Sequence, residues 1–148
     1  MFWNKESDMV TLETARALKG AGLRWIPKEG DRFAIPDRGL DDHVFVISRM
    51  NATVQLLQGY PAITFQGAYE WALDYIWLNE VVWLPHEEQL RAALESYLAG
   101  GSGQPTLRLT GTPGGYVCEI LFRGDYLTFE AEAAGEAYAE ALLHVLKQ

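Results

Sequence analysis

The sequence predicts an α+β fold of antiparallel sheets with helices packed on one face. Segments with helical spacing of apolar residues alternate with short β-branched or aromatic runs. Turns rich in Gly, Pro and Asp separate them, and the last third of the chain predicts the order α-β-β-β-α. At 148 residues, 49% of them hydrophobic, the chain is long enough for one domain with a sizeable core.

The first predicted elements are one helix and four strands. In "VTLETARALKGAGL", Thr11 is a suitable N-cap for a helix over 12–20, with Leu12, Ala15 and Leu18 on its apolar stripe. "RFAI", ended by Pro36, and the β-branched run "HVFVIS" predict two strands. "TVQLL" and "AITF" flank "QGYP" and predict a hairpin.

The middle of the chain is rich in tryptophan. Helical spacing of apolar residues predicts a buried helix over about 68–78, and "EVVWLP" then predicts a short strand or extended link. Pro85 favours the start of another helix, over 86–98.

The C-terminal third follows a Gly-rich linker at 100–105. Its predicted strands cover 106–110, 116–122 and 126–131, and its helix covers 134–147. The "RGD" at 123–125 is interpreted as a tight turn. We expect a single compact unit over 1–148, with a possible division into 9–99 and 105–148.

Charge and composition exclude several partners. The net charge of −8 disfavours nucleic acid and anionic membranes. The α-β-β-β-α order is that of a double-stranded RNA-binding domain, but the last helix begins with acids where such domains carry lysines. No apolar run approaches the ~20 residues that span a bilayer. One cysteine and no recognisable signal peptide predict a cytoplasmic protein.

No catalytic, cofactor or metal site is predicted. "GGSGQPT" is Gly-rich but has no lysine and leads from a helix into a strand, the wrong order for a phosphate-binding loop. The histidines, His43, His86 and His144, are isolated, and Cys118 falls on the apolar face of a strand. The nearest metal candidate, "DDH" at 41–43, is more readily interpreted as a solvated loop.

The tryptophans Trp71, Trp77 and Trp83 allow three interpretations: a hydrophobic core, an interface with a second copy or another protein, or a small-ligand pocket. Residues 69–90 contain no Arg or Lys, which disfavours a platform for single-stranded nucleic acid.

A family resemblance rests on "GDRF-x-IPDR" and "WLP-x-E-x-QL", within residues 11–98. The chain resembles short bacterial proteins that bear the name of the ATPase-like assembly component of tight-adherence pili. That component has a receiver-like domain and an ATPase domain, which 148 residues do not accommodate, and no phosphate-binding lysine loop occurs here. The resemblance therefore implies no activity and no catalytic residue.

Three functions are compatible with these observations. The first is a non-enzymatic interaction or accessory protein that self-associates through the Trp-rich segment. The second is a small-molecule-binding protein or an enzyme whose site is the loop 36–43, lined by Asp37, Arg38, Asp41, Asp42 and His43. The third is an accessory role in pilus assembly or secretion, which only the resemblance implies.

Overall fold

The computed structural model describes residues 10–65, 75–99 and 106–148. These residues form three helices and nine strands in three small antiparallel sheets, which confirms the α+β fold. The helices are α1 (Leu12–Gly20), α2 (Glu87–Ala99) and α3 (Ala134–Leu146). The strands are β1 (Arg32–Ala34), β2 (Phe45–Val46), β3 (Ala52–Leu57), β4 (Tyr60–Phe65), β5 (Tyr75–Trp77), β6 (Val82–Leu84), β7 (Leu107–Thr112), β8 (Gly115–Phe122) and β9 (Asp125–Ala131).

The described residues fall into two compact units. The first unit combines those up to Leu23 with those from Pro85 onwards, and the second unit is Arg24–Leu84. Helix α2 and the strands β7 to β9 therefore belong to the same unit. The predicted linker at 100–105 lies outside the described residues, and the division there stays a prediction.

The first unit is built on the sheet β7-β8-β9, with β8 in the centre. Cys118 pairs with Leu109 on one side and with Phe129 on the other, so these side chains share a face. Helix α3 packs against β8 and β9, and α2 packs against α3. The predicted α-β-β-β-α order is confirmed, and its core includes the fully buried Ile120, Leu94 and Leu142.

Helix α1 is joined to α3 by a carboxylate. Thr11 caps α1 as predicted, since its side chain accepts a hydrogen bond from the backbone N–H of Thr14. The Glu136 carboxylate of α3 accepts two more bonds, from the backbone N–H of Thr11 at 2.9 Å and from the Thr14 hydroxyl at 2.7 Å. An acidic side chain at a helix N-terminus also suits the helix dipole.

The second unit contains the sheets β2-β1-β6 and β3-β4-β5. Phe33 of the central strand β1 pairs with Phe45 of β2 and with Trp83 of β6. One apolar cluster joins residues from both sheets: Phe33, Ile35, Phe45, Ile47, Ala52, Ile63, Ile76 and Val81. Strand β1 is part of the predicted "RFAI", while the predicted "HVFVIS" strand is limited to Phe45–Val46.

The helix predicted over 68–78 is wrong for its last part. Tyr75–Trp77 is strand β5, and a 3-10 turn follows over Leu78–Glu80; residues 66–74 lie outside the described residues. The physical reason is pairing with β4, where Ile76 opposes Ile63 and both are buried. Tyr75 and Trp77 then face the opposite side of the sheet, which is a strand period of two and not a helical one.

The predicted hairpin is confirmed, with β3 and β4 joined by two residues. Gln58 and Gly59 both have positive φ, of 53° and 87°, as in a type I′ turn between the paired residues Leu57 and Tyr60. Such a turn follows the twist of the two strands and fixes their register. The "RGD" segment forms the same kind of turn, with Arg123 at φ 53° and Gly124 at φ 86° between β8 and β9.

Candidate interaction surface

Trp83 lies in β6 and is engaged in stacking inside the second unit. Its ring is parallel to that of Trp25, with centroids 6.1 Å apart and an interplanar angle of 6°. Trp25 in turn contacts Phe33, at a centroid distance of 6.2 Å. Through Trp25, Trp83 therefore extends the apolar core around Phe33. It is not part of the candidate surface.

Trp77 lies on the outer face of the sheet β3-β4-β5. Its ring has edge-to-face contacts with Tyr75 at 5.2 Å and with Tyr60 at 6.3 Å between centroids. Tyr60 is 68% exposed and Tyr75 is also exposed. Ala62 pairs with Trp77 on this face and is fully buried. We call Tyr60, Tyr75 and Trp77 the aromatic face.

A pocket of about 270 Å³ adjoins this aromatic face. It is lined by Tyr60, Pro61, Trp77 and Asn79. Two of the lining groups are aromatic, and the Asn79 amide is a polar group at its border. This chemistry suits the seating of an apolar or aromatic side chain from another protein.

The opposite face of the same hairpin is also apolar beyond the core. Val54 pairs with the buried Ile63 and is 38% exposed, and Leu56 pairs with Pro61 and is 72% exposed. The strands β3 and β4 thus extend past the apolar cluster that covers Ile63. Near the turn, the hairpin therefore presents apolar side chains on both faces of the sheet. Leu56 projects from one face and Tyr60 from the other.

Trp71, the remaining tryptophan of the predicted interface, lies outside the described residues. The predicted ligand loop 36–43 is described, and all five of its candidate side chains are exposed: Asp37, Arg38, Asp41, Asp42 and His43.

Internal contacts hold that loop against the rest of the second unit. The backbone N–H of Asp37 donates to Asp41 Oδ1 at 3.1 Å, Arg38 forms an ion pair with Glu80, and the His43 ring stacks on Phe45. The loop's role in binding a ligand stays a prediction.

Cys118 is fully buried on the helix-facing side of β8. Burial raises the pKa of its thiol from 9.0 to about 11. The neutral thiol is a poor nucleophile, so this position suits packing and not covalent chemistry. Among the described residues, no group of three or more His, Cys, Asp and Glu side chains is placed to hold a metal ion.

Comparison with known proteins adds no relative: no family model, curated protein or solved structure matches the chain. Within the part of the chain that the structure describes, no helix is long and apolar enough to cross a membrane.

Proposed function

We propose that this protein is a non-enzymatic interaction protein that self-associates, and that the sheet β3-β4-β5 carries its contact surface. One observation supports this proposal above the others. The sheet exposes Leu56 and Tyr60 on opposite faces, within a stretch from Met50 to Tyr69 that contains no charged residue. Exposed apolar side chains concentrated on one uncharged hairpin favour a protein-binding role, whereas single apolar residues scattered over a surface do not.

The distribution of charge permits a second copy as the partner at this hairpin. Each chain has a net charge of −8, so two copies repel each other over most of their surfaces. The uncharged stretch lets two copies approach without bringing acidic side chains together. Contact at this hairpin therefore avoids placing acidic side chains of the two copies directly against each other.

The chemistry of the aromatic face suits a contact surface. Tyr and Trp bury a large area with few rotatable bonds, and they are enriched among residues that dominate binding energy. Tyr60 and Trp77 already support each other through their edge-to-face contact. This contact between the two rings therefore exists before a partner's side chain binds.

Size-exclusion chromatography coupled to light scattering, over a wide range of concentrations, tests the proposal. We expect a dimer that dissociates on dilution, and tryptophan fluorescence that becomes more accessible to acrylamide as it does so. Tyr60→Ser should weaken the dimer. Tyr126→Ser is the matched control, because Tyr126 is exposed to the same extent (69%) on a strand of the other unit. A chain that stays monomeric at all concentrations overturns the proposal.

We also propose that the protein acts in the cytoplasm, which the single buried cysteine supports because a reduced thiol suits that compartment. A different protein as partner, and a role in pilus assembly or secretion, are further proposals. The light-scattering experiment addresses the first of these, since a monomer would leave a different protein, or a small ligand at the loop 36–43, as the partner.

A further inference from the structure

Strand β3 has an open edge. It lies at the end of the sheet order β3-β4-β5, so only one of its sides is paired with another strand of the described residues. Near its start, Ala52 exchanges two backbone hydrogen bonds with Ser48, of 2.8 and 3.1 Å. The open part of the edge therefore begins after Ala52.

This edge lacks the features that protect other edges. Among the described strands that lie at the end of a sheet, β3, β7 and β9 have six residues or more. Strand β7 carries Arg108, and β9 carries Asp125 and Glu130. Strand β3, with the sequence ATVQLL, carries no charge and no proline. Long uncharged edges pair readily with another strand, and charges and prolines prevent this.

The type I′ turn determines which backbone groups point outwards. In a two-residue hairpin the closing pair, here Leu57 and Tyr60, is hydrogen-bonded across the two strands, and hydrogen-bonded pairs then recur at every second residue. The N–H and C=O groups of Leu57, Gln55 and Thr53 thus point towards β4. Those of Ala52, Val54 and Leu56 point outwards, which agrees with the bonds between Ala52 and Ser48.

We infer that two copies of the chain pair through their β3 edges, antiparallel and about a two-fold axis at Gln55, to form one continuous six-stranded sheet. This inference rests on the proposed self-association. In this register Val54 of each copy lies opposite Leu56 of the other. All outward N–H and C=O groups of both residues are then bonded, which gives four hydrogen bonds.

Neighbouring registers are less favourable. An axis at Val54 opposes Leu56 to Ala52, whose backbone groups are already bonded to Ser48. An axis at Leu56 opposes Val54 to Gln58, which belongs to the turn. Of these three registers, only the axis at Gln55 gives hydrogen-bond partners to all outward N–H and C=O groups of Val54 and Leu56. It also places the exposed side chain of Val54 in one copy against that of Leu56 in the other, on one face of the sheet.

Disulfide trapping tests this register. In the variant Gln55→Cys, the two thiols face each other across the axis in a non-hydrogen-bonded pair, with their Cα atoms ~4.5 Å apart and within disulfide range. In the variant Thr53→Cys, each cysteine lies opposite Leu57 of the other copy. The two thiols are then four residues apart along the strand, or about 13 Å, which excludes a disulfide. We expect Gln55→Cys to cross-link under mild oxidation at least about tenfold faster than Thr53→Cys.

A second pair of variants keeps the test independent of the cysteines. Val54→Lys/Leu56→Lys and Val54→Glu/Leu56→Glu each place like charges opposite one another, so each should be monomeric. Their mixture places Lys opposite Glu and should restore a heterodimer. Since the side chains of Val54 and Leu56 are already partly in water, we expect both variants to fold, which circular dichroism can check.

The outcomes separate the inference from the function on which it rests. A wild-type monomer overturns both. A wild-type dimer that persists in both charge variants, or that cross-links through Thr53→Cys as readily as through Gln55→Cys, overturns the edge pairing and leaves self-association in place. Fast cross-linking at position 55 together with recovery in the mixture supports the inference.

Discussion

Trp25 and Trp83 stack with nearly parallel rings, but only one of the two indole N–H groups has an acceptor within the part of the chain that the structure describes. Trp25 Nε1 donates to Asp31 Oδ2 at 2.9 Å, and the same oxygen accepts the backbone N–H of Lys28 at 3.0 Å. Trp83 Nε1 is buried without a hydrogen-bond partner among the described residues. Asp31 itself is only 5% exposed, so its carboxylate depends on these donors in place of water.

This asymmetry predicts different costs for the same substitution. Trp25→Phe leaves the buried Asp31 carboxylate with one donor fewer, whereas Trp83→Phe loses no hydrogen bond. We expect Trp25→Phe to lower the free energy of unfolding by about 1–3 kcal/mol more than Trp83→Phe does. Urea unfolding followed by circular dichroism measures this difference. Equal costs would show that the bond to Asp31 contributes nothing beyond the loss of ring area.

The carboxylate of Glu136 provides a second prediction, in the first unit. Because it accepts bonds from both Thr11 and Thr14, Glu136→Ala should destabilise the protein by about 2 kcal/mol. Glu140→Ala is the control, since Glu140 lies one turn further along α3 and is exposed, and it should change stability by less than about 0.5 kcal/mol. Thermal unfolding of the two variants decides the matter, and similar melting temperatures would contradict the prediction.

The hairpin turn allows a stabilising substitution. Gln58 adopts a left-handed φ of 53°, which Asn tolerates better than Gln. We therefore expect Gln58→Asn to raise the free energy of unfolding by about 0.5 kcal/mol, while Gly59→Val, at φ 87°, should lower it by more than about 1 kcal/mol. Urea unfolding checks both signs, and a neutral Gly59→Val would show that the turn is free to change its type.

The sequence predicts local elements more reliably than pairings between distant segments. Helix α1, with its cap Thr11, and the strands of the last third follow from spacing and turn residues that lie within each element. The strand Tyr75–Trp77 does not follow from the sequence, because an uninterrupted apolar run fits both the helical period and the strand period. The pairing of Ile76 with Ile63 decides in favour of the strand.

The same limit applies to the candidate site. The segment 69–90 indicated a place where aromatic residues accumulate, but not which of them are exposed. Trp83 stacks on Trp25, which comes from a distant part of the chain, while Trp77 lies on the outer face of the sheet β3-β4-β5. The open edge of β3 also depends on pairing: its sequence is uncharged, but only the sheet order shows that this strand is at an end.

The buried thiol of Cys118 gives a prediction that depends on pH. With its pKa raised to about 11 from 9.0, the thiolate fraction at pH 8 falls from roughly one-tenth to roughly one-thousandth. We expect the folded chain to react with a disulfide reagent at pH 8 at least about 100-fold more slowly than the chain in urea. The reagent's absorbance change measures both rates.

The sign of the effect on stability follows from the same shift. Well below pH 9 the thiol is neutral in both the folded and the unfolded chain, so it adds no pH dependence there. Between pH 9 and about 11 the unfolded chain loses a proton that the folded chain retains, so the free energy of unfolding should fall as the pH rises. The comparison of wild type with Cys118→Ala across this range isolates the contribution of the thiol. If the two chains lose stability in parallel between pH 9 and 11, the thiol is not the group responsible.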